Sequence, residues 1–208
     1  MKTFFVLALF LFSATMVLSA RDITLPPPVK KGGMSMMEVF NSRKTVRNFS
    51  QKPLSFQQIS NLCWAANGIN RKDGKRTAPS AVNCQEIEVF VLLSQAAYYY
   101  NPKTHVLEER AKGDFRKLAG PRFHSPAALL LIANQDKQMR LKNASARDRY
   151  AAIDVGYVSQ NIYLYCASAN MGTVAVGGVA DKADEIRNVL KLGKEYMVLL
   201  GHPVGNLP

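Results

Sequence analysis

Hydrophobic residues recur every three to four positions in four stretches of this chain, which is the period of an α-helix that packs on one side. We predict these helices near residues 36–42, 55–68, 150–171 and 181–190. Ser55 is a suitable N-cap for the second helix, and Gly68 is a suitable end for it. The third stretch contains a single charged residue, Asp154, between Ala151 and Asn170. A helix that is apolar nearly all round must be covered on all sides, so we expect it in the core, at a subunit interface, or both.

Other stretches have the length and composition of β-strands. Residues 98–107 are typical of a hairpin that turns at Asn101-Pro102-Lys103-Thr104, and residues 126–133 form an unbroken apolar run that we expect near the centre of a sheet. The other predicted strands cover residues 87–93 and 196–200. Because strands and helices do not alternate regularly, the pattern predicts an α+β fold with a central sheet flanked by helices.

The beginning of the chain differs from the rest. Lys2 precedes an apolar run over residues 4–12, and small residues follow that run. This order predicts a signal peptide over residues 1–20; a membrane span is the alternative, although the run is shorter than the roughly 20 residues that a span needs. Residues 21–34 are predicted as a Pro/Gly-rich linker and residues 35–208 as one domain. We therefore expect a periplasmic or secreted bacterial protein with no stable membrane anchor after cleavage.

Composition and charge narrow the class of protein. The 208 residues are 48% hydrophobic and 20% charged, which is typical of a folded domain and excludes a disulfide-stapled miniprotein or a disordered chain. The formal net charge of +12 favours anionic partners. Because this charge is dispersed and no recognised motif carries it, we expect no nucleic acid partner. The three cysteines include no CxxC motif and no histidine at ligand spacing, so we nominate no metal site.

Three short segments are candidates for binding chemistry. Arg43-Lys44-Thr45-Val46-Arg47 offers three cations and a hydroxyl, which suit a phosphate group, although a solvated basic turn is the commoner meaning of such a run. Pro79-Ser80-Ala81-Val82-Asn83-Cys84-Gln85 combines small residues with two amides, as in a site for a planar ligand or in an ordinary loop. Val176-Gly177-Gly178 indicates either exposed backbone N–H groups beside a ligand or a β-bulge.

Together and in this order, the three segments resemble the FMN-dependent nitroreductase family. Its signature of Arg-x-Ser-x-Arg type is matched by residues 43–47, its Pro-Ser-x-x-Asn-x-Gln segment by residues 79–85, and its glycine loop by residues 176–178. The resemblance extends over about residues 35–205. Residues 76–81 and the predicted hairpin are also similar to the branch that contains SagB-type dehydrogenases, which oxidise azoline rings in modified peptides.

The resemblance implies an exported FMN-dependent oxidoreductase of nitroreductase-like α+β fold, with a mostly antiparallel sheet and an FMN site at a homodimer interface. A hydride would pass through the flavin to or from a small organic substrate, with an unknown electron donor. No catalytic side chain is implied, because the cofactor carries the hydride. The implied cofactor-binding residues are Arg43, Lys44, Thr45 and Arg47 at the phosphate and ribityl end, Pro79, Ser80, Ala81, Asn83 and Gln85 beside the flavin, and Gly177 and Gly178 near its N5 and O4 atoms.

Two departures from the family pattern support a second hypothesis. Family members usually bring a C-terminal Lys or Arg back to the phosphate, and no lysine or arginine follows Lys194 in this sequence. NAD(P)H, the reductant assumed for a nitroreductase, is not expected outside the cytoplasm. The alternative is therefore an exported basic protein that has the same fold and binds flavin or another anion without turnover.

Overall fold

A computed structural model describes residues 22–208, so the predicted signal peptide at residues 1–20 lies outside the described residues. One seven-stranded sheet forms the centre of the molecule. Its strands are β1 (Ile23–Thr24), β2 (Ile87–Leu92), β3 (Ala96–Asn101), β4 (Val106–Lys112), β5 (Ala127–Asn134), β6 (Met171–Thr173) and β7 (Tyr196–Asn206). In space they follow the order β1-β4-β3-β2-β5-β7-β6, and every neighbouring pair is antiparallel.

Four α-helices flank this sheet in the described residues. They are α1 (Met36–Ser42), α2 (Phe56–Asn67), α3 (Ala144–Ser168) and α4 (Ala183–Leu190). Ser55 caps α2 as predicted, because its side chain accepts the Gln58 N–H and Gln58 in turn accepts the Ser55 N–H. The α+β class, with an antiparallel sheet between helices, is thus confirmed. Among residues 22–208, no helix combines the length and the apolar composition that crossing a membrane requires.

The sheet separates two hydrophobic cores. Alternate residues of β2 face opposite sides: Val89 and Val91 pack in the core beneath α2 and α3, whereas Phe90 and Leu92 pack in the core that contains α4. All six residues of β2 are buried. A strand buried on both faces is a rigid base, and the loop that leads into β2 is held at one end by it.

The long helix α3 differs from its prediction at both ends and on one face. It begins at Ala144, after the side chain of Asn143 accepts the Ala146 N–H, and it ends at Ser168. Ile153 and Tyr157 are 43% and 46% exposed, so a single protomer does not cover this helix on all sides. The buried face of α3 is core as expected, and the exposed apolar face is available to a partner.

The segment predicted as a linker packs against the domain from Asp22 onward. Its strand β1 pairs with β4, and Leu25 is buried. The carbonyl of Pro26 accepts a hydrogen bond from the Ser60 hydroxyl of α2, and His105 Nε2 lies 2.7 Å from the same hydroxyl. These contacts fasten the start of the described chain to α2 and to the β3–β4 hairpin.

Candidate functional site

The cationic segment of residues 43–47 follows α1 and lies along the edge strand β6. The Val46 N–H donates to the Thr173 carbonyl at 2.9 Å. Gly172 permits this close approach, because a Cβ at that position would lie 2.6 Å from Val46 Cγ1. The backbone of the segment is therefore fixed against the sheet, while the side chains on both sides of Val46 are exposed.

The three cations of this segment have no carboxylate partner in the part of the chain that the structure describes. Within residues 22–208, Arg43, Lys44 and Arg47 form no ion pair. Lys44 and Arg47 are exposed and Arg43 is half-buried. An anion that reaches this surface therefore meets three positive charges that no acidic side chain neutralises.

Tyr163, on α3, joins the cationic segment to the glycine segment. Its hydroxyl accepts a hydrogen bond from the Ala175 N–H at 2.9 Å and lies 3.4 Å from Thr45 Oγ1. The guanidinium of Arg43 lies over the ring of Tyr163, 5.6 Å from its centroid. Residues 43–47 and the chain that leads into Gly177 thus meet around one tyrosine.

A buried histidine supports Tyr163 from the core. The rings of His202 and Tyr163 meet edge to face with their centroids 5.6 Å apart. His202 Nε2 lies 2.9 Å from Ser159 Oγ, and Nδ1 lies 3.0 Å from Thr173 Oγ1. Burial lowers the pKa of His202 to about 3, so the ring is neutral at physiological pH. His202 therefore restrains Tyr163 and β6 without adding a charge to the site.

Gly177 and Gly178 begin a short 3-10 turn that runs to Lys182. Both glycines are exposed, and neither has a positive φ. A Cβ at Gly177 would meet no atom within 4 Å, and at Gly178 the nearest atom would be an Asp181 carboxylate oxygen at 3.9 Å. Neither conformation nor packing within the protomer requires glycine here, so the open space suits a ligand or a partner.

The third segment, residues 79–85, is a loop between α2 and β2 that is held by its own side chains. Ser80 Oγ accepts the Gln85 N–H at 2.9 Å. The Gln85 side chain donates to Asn83 Oδ1 at 3.1 Å and accepts from Arg76 Nε at 3.1 Å. Gln85 is therefore engaged within the protein and orients the Asn83 amide, whereas Asn83 itself is exposed.

The backbone of this loop is strained. Val82, Asn83 and Gln85 have φ values of +44°, +56° and +53°, a region that residues other than glycine rarely adopt. Each such residue costs on the order of 1–3 kcal/mol and persists only where its surroundings impose the conformation. One such restraint is a hydrogen bond of 2.8 Å from the Ala81 N–H to Asp154 Oδ2 on α3. Strain of this kind concentrates at ligand-binding loops.

A single protomer does not bring all the predicted site residues together. Asp154 holds the loop and Tyr163 holds the cationic segment, and these two residues are nine positions apart on α3. At 3.6 residues per turn and a rise of 1.5 Å, that spacing corresponds to opposite helix faces and about 13 Å along the axis. Residues 43–47 and 176–178 therefore form one group, which we call the cationic half-site. Residues 79–85 form a second group across the helix, which we call the loop half-site.

Exposed apolar side chains border the loop half-site. Val82 is 58% exposed, and Ile153 and Tyr157 occupy neighbouring positions on the exposed face of α3. They lie beside the point where Asp154 holds Ala81. Large apolar groups next to a polar binding loop are typical of a surface that meets another chain.

Sequence patterns indicated some of these residues and missed others. Asp154 stands out in the sequence as the only charged residue between Ala151 and Asn170. Its role in holding the loop is visible only in the structure, where it accepts the Ala81 N–H. Tyr163 and His202 had no local signal, because each acts on segments that are distant in the sequence.

Known proteins resemble this chain over most of its length. The family model described as "Nitroreductase family" matches residues 41–206. A protein of Methanocaldococcus jannaschii named "Putative nitroreductase" is 31% identical over 185 residues, which cover 83% of this chain and 91% of that protein. The crystal structure of a "putative nitroreductase" from Ralstonia eutropha JMP134 superposes with a TM-score of 0.84 at 34% identity, over 90% of each chain. A "putative nitroreductase in complex with FMN" from Desulfovibrio desulfuricans shares the fold, with a TM-score of 0.59 at 16% identity over 82% of this chain and 85% of that chain.

Proposed function

This chain belongs to the nitroreductase family and is an oxidoreductase, and from that premise we propose that it binds FMN and transfers a hydride to or from a small organic substrate. The observation that carries the proposal is the half-site around Tyr163. Tyr163 joins the backbone of a segment with three cations, none of them paired with a carboxylate within residues 22–208, to the chain that leads into two glycines with open space above them. Cations suit a phosphate, and an unobstructed backbone suits a flat ring system.

The cations, the hydroxyl and the backbone N–H groups of this half-site are of the kinds that bind FMN. Arg43, Lys44 and Arg47 would bind the phosphate, and Thr45 would add a hydroxyl contact. Gly177 and Gly178 would offer backbone N–H groups to the flavin edge. Bound FMN would supply the hydride chemistry, while these residues would bind it and orient it.

We infer that the complete site needs two copies of the chain. The loop half-site of residues 79–85 lies across α3 from the cationic half-site, so one FMN meets both only if a partner supplies the loop. Pro79, Ser80, Ala81 and Asn83 of one protomer would then pack beside the flavin held by the other. A twofold axis makes this exchange reciprocal and buries Val82, Ile153 and Tyr157.

Export is a separate part of the proposal. It is supported by the basic start and apolar run within residues 1–20, which resemble a bacterial signal peptide. In the periplasm or outside the cell the electron donor would be a reductant other than cytoplasmic NAD(P)H. The mass of the mature protein isolated from its own host tests this: a chain that begins near Ala20 or Arg21 supports export, and an intact Met1 contradicts it.

Replacing a phosphate-binding cation tests the flavin site. Arg47→Ala removes charge-assisted hydrogen bonds worth roughly 1.5–3 kcal/mol each, so the affinity for FMN should fall about tenfold to a hundredfold or more. Riboflavin, which lacks the phosphate, should bind the wild type and the variant almost equally. Fluorescence titration with both flavins measures the difference.

A matched control separates the site from net charge. Lys103→Ala, at the exposed tip of the β3–β4 hairpin, removes the same charge away from Tyr163 and should leave FMN affinity unchanged. If Arg47→Ala and Lys103→Ala behave alike, or if riboflavin binding falls as far as FMN binding, residues 43–47 are a solvated basic turn and the proposed site is wrong.

A further inference from the structure

Two carboxyl side chains are buried together beneath the loop of residues 79–85. Glu86, directly after the loop, is fully buried, and Asp154 on α3 is 2% exposed. Hydrogen bonding and charge from Asp154 both act to raise the pKa of Glu86. Asp154 Oδ2 accepts the Ala81 N–H at 2.8 Å. The amide that anchors the loop therefore depends on a carboxylate whose neighbour is a second carboxyl group.

The contacts of Glu86 leave one of its two carboxyl oxygens without a hydrogen-bond donor. Its Oε1 accepts from Gln138 Nε2 at 3.3 Å, whereas Oε2 has no donor among residues 22–208. If both carboxyls were ionised, two negative charges would share a site from which water is excluded. A proton on Glu86 removes this repulsion, and its O–H then donates to Asp154.

The charged and titratable groups around Glu86 come from three elements. Asp154 faces it from α3, Cys84 belongs to the loop, and Lys137 follows β5 and is paired with Glu88 at 2.6 Å. Burial, reinforced by Asp154 and opposed by Lys137, raises the pKa of Glu86 to about 8. Burial also raises the pKa of the Cys84 thiol. Glu86 is therefore mostly neutral at pH 7.

We propose that Glu86 is a positioning residue for the flavin site: its neutral carboxyl holds Asp154, and Asp154 holds the amide of Ala81. The inference rests on the proposed function, because the loop is one half of the FMN site. The positive φ values at Val82 and Asn83 explain why an anchor is needed, since an unrestrained loop would relax out of that conformation. When Glu86 loses its proton at high pH, a second negative charge lies beside Asp154. The anchor of the loop is then weaker, and FMN affinity falls.

The pH dependence of FMN affinity tests the proposal. Between pH 7 and pH 9 the neutral fraction of Glu86 falls from about nine tenths to about one tenth, so the apparent dissociation constant of the wild type should rise about tenfold. Glu86→Gln keeps an N–H donor toward Asp154 at every pH. This variant should match the wild type at pH 7 and lose less than about twofold at pH 9.

Controls separate this effect from the titration of the ligand. The charge of FMN changes alike for every protein variant, so the ratio of wild type to Glu86→Gln isolates the protein group. Glu109→Gln on β4, two strands from β2, should keep the tenfold loss. The proposal is overturned if the wild type keeps its FMN affinity between pH 7 and pH 9. It is also overturned if Glu86→Gln loses affinity tenfold over that range.

Two further measurements apply where Glu86→Gln does not fold. Asp154→Asn removes the repulsion while its amide oxygen still accepts from Ala81, so this variant should also lose the pH dependence; an unchanged tenfold loss contradicts the proposal. In the flavin-free wild type, the carboxyl ¹³C shift of Glu86 should titrate near pH 8, and a midpoint near the ordinary value of about 4.3 overturns it. This titration needs no FMN. Failure of the wild type to bind FMN at pH 7 would instead defeat the proposed function.

Discussion

Gly177 is a residue whose missing side chain leaves open space on the surface. A Cβ there would meet no protein atom within 4 Å, and its φ is not positive. Gly177→Ala should therefore leave the free energy of unfolding of the flavin-free protein within about 0.5 kcal/mol of the wild type. FMN affinity should fall at least about tenfold, because the methyl group occupies space that we assign to the flavin. Urea unfolding and fluorescence titration measure the two quantities.

Gly172 provides the contrasting control. A Cβ at Gly172 would lie 2.6 Å from Val46 Cγ1, so Gly172→Ala should lower the free energy of unfolding by about 1–3 kcal/mol even without FMN. The fold thus requires glycine at position 172, and under the proposed function the ligand requires it at position 177. If Gly177→Ala binds FMN with unchanged affinity, the assignment of Gly177 and Gly178 to the flavin site is wrong.

Some site residues can be nominated from sequence alone, because their chemistry is visible in the segment that contains them, and their role in binding flavin stays a prediction. Arg43 and Arg47 are cations within one short segment, and any fold that exposes that segment offers them to an anion. Tyr163 acts through a hydroxyl shared with Thr45 and a backbone amide of a third segment. Such a role exists only once the fold has brought the three segments together, so no pattern along the chain could reveal it.

At the scale of elements, hydrophobic periodicity found α3 but not its ends. The first two turns, from Ala144, are polar and exposed for much of their length, so they carry no apolar period, and the Asn143 cap decides the start. The predicted end at residue 171 was wrong because Asn170 has a φ of +54°, which turns the chain out of the helix and into β6. Both boundaries depend on local backbone conformation more than on hydrophobic pattern.

Strand β7 extends beyond its predicted end for a different reason. The prediction stopped at residue 200, before Gly201-His202-Pro203, because glycine and proline usually interrupt strands. In the structure Pro203 lies opposite Ala128 of β5, and Gly205 lies opposite Gly172 of β6. Pairing with strands on both sides carries β7 through to Asn206, and such pairing is decided by the sheet as a whole.

At the scale of the whole molecule, the family and its fold were predictable because three motifs occur in a fixed order over most of the chain. Both predictions are confirmed by the family match over residues 41–206 and by the Ralstonia eutropha structure. The separation of the two half-sites was not predictable from those motifs. It follows from where each motif contacts α3, which the order of the motifs does not specify.

Mixed dimers test whether two chains build each site. One protomer carries Arg47→Ala in the cationic half-site, and its partner carries Asn83→Ala in the loop half-site. If the halves come from different chains, one site of the mixed dimer contains both substitutions and the other contains neither. Such a dimer, purified through two affinity tags, should bind one FMN with wild-type affinity, whereas each parent homodimer has only weakened sites.

The reverse arrangement is the control. A dimer of wild type with a double variant, Arg47→Ala and Asn83→Ala, places one defect in each shared site and should have no site of wild-type affinity. If each chain built its own site, this second dimer would keep one normal site and the first would keep none. The two outcomes are opposite, so titration of FMN stoichiometry decides between them.

Helix α3 holds the loop on one face through Asp154 and the cationic segment on the opposite face through Tyr163. In the proposed dimer those two faces belong to two different FMN sites, so each copy of α3 lines both sites. Ordering of the loop by the first flavin restrains the helix that supports the second, and the two binding events share one conformational cost. Positive cooperativity between the sites is the consequence, and it would be measured as a second stepwise dissociation constant for FMN that is less than about four times the first, the ratio for independent identical sites.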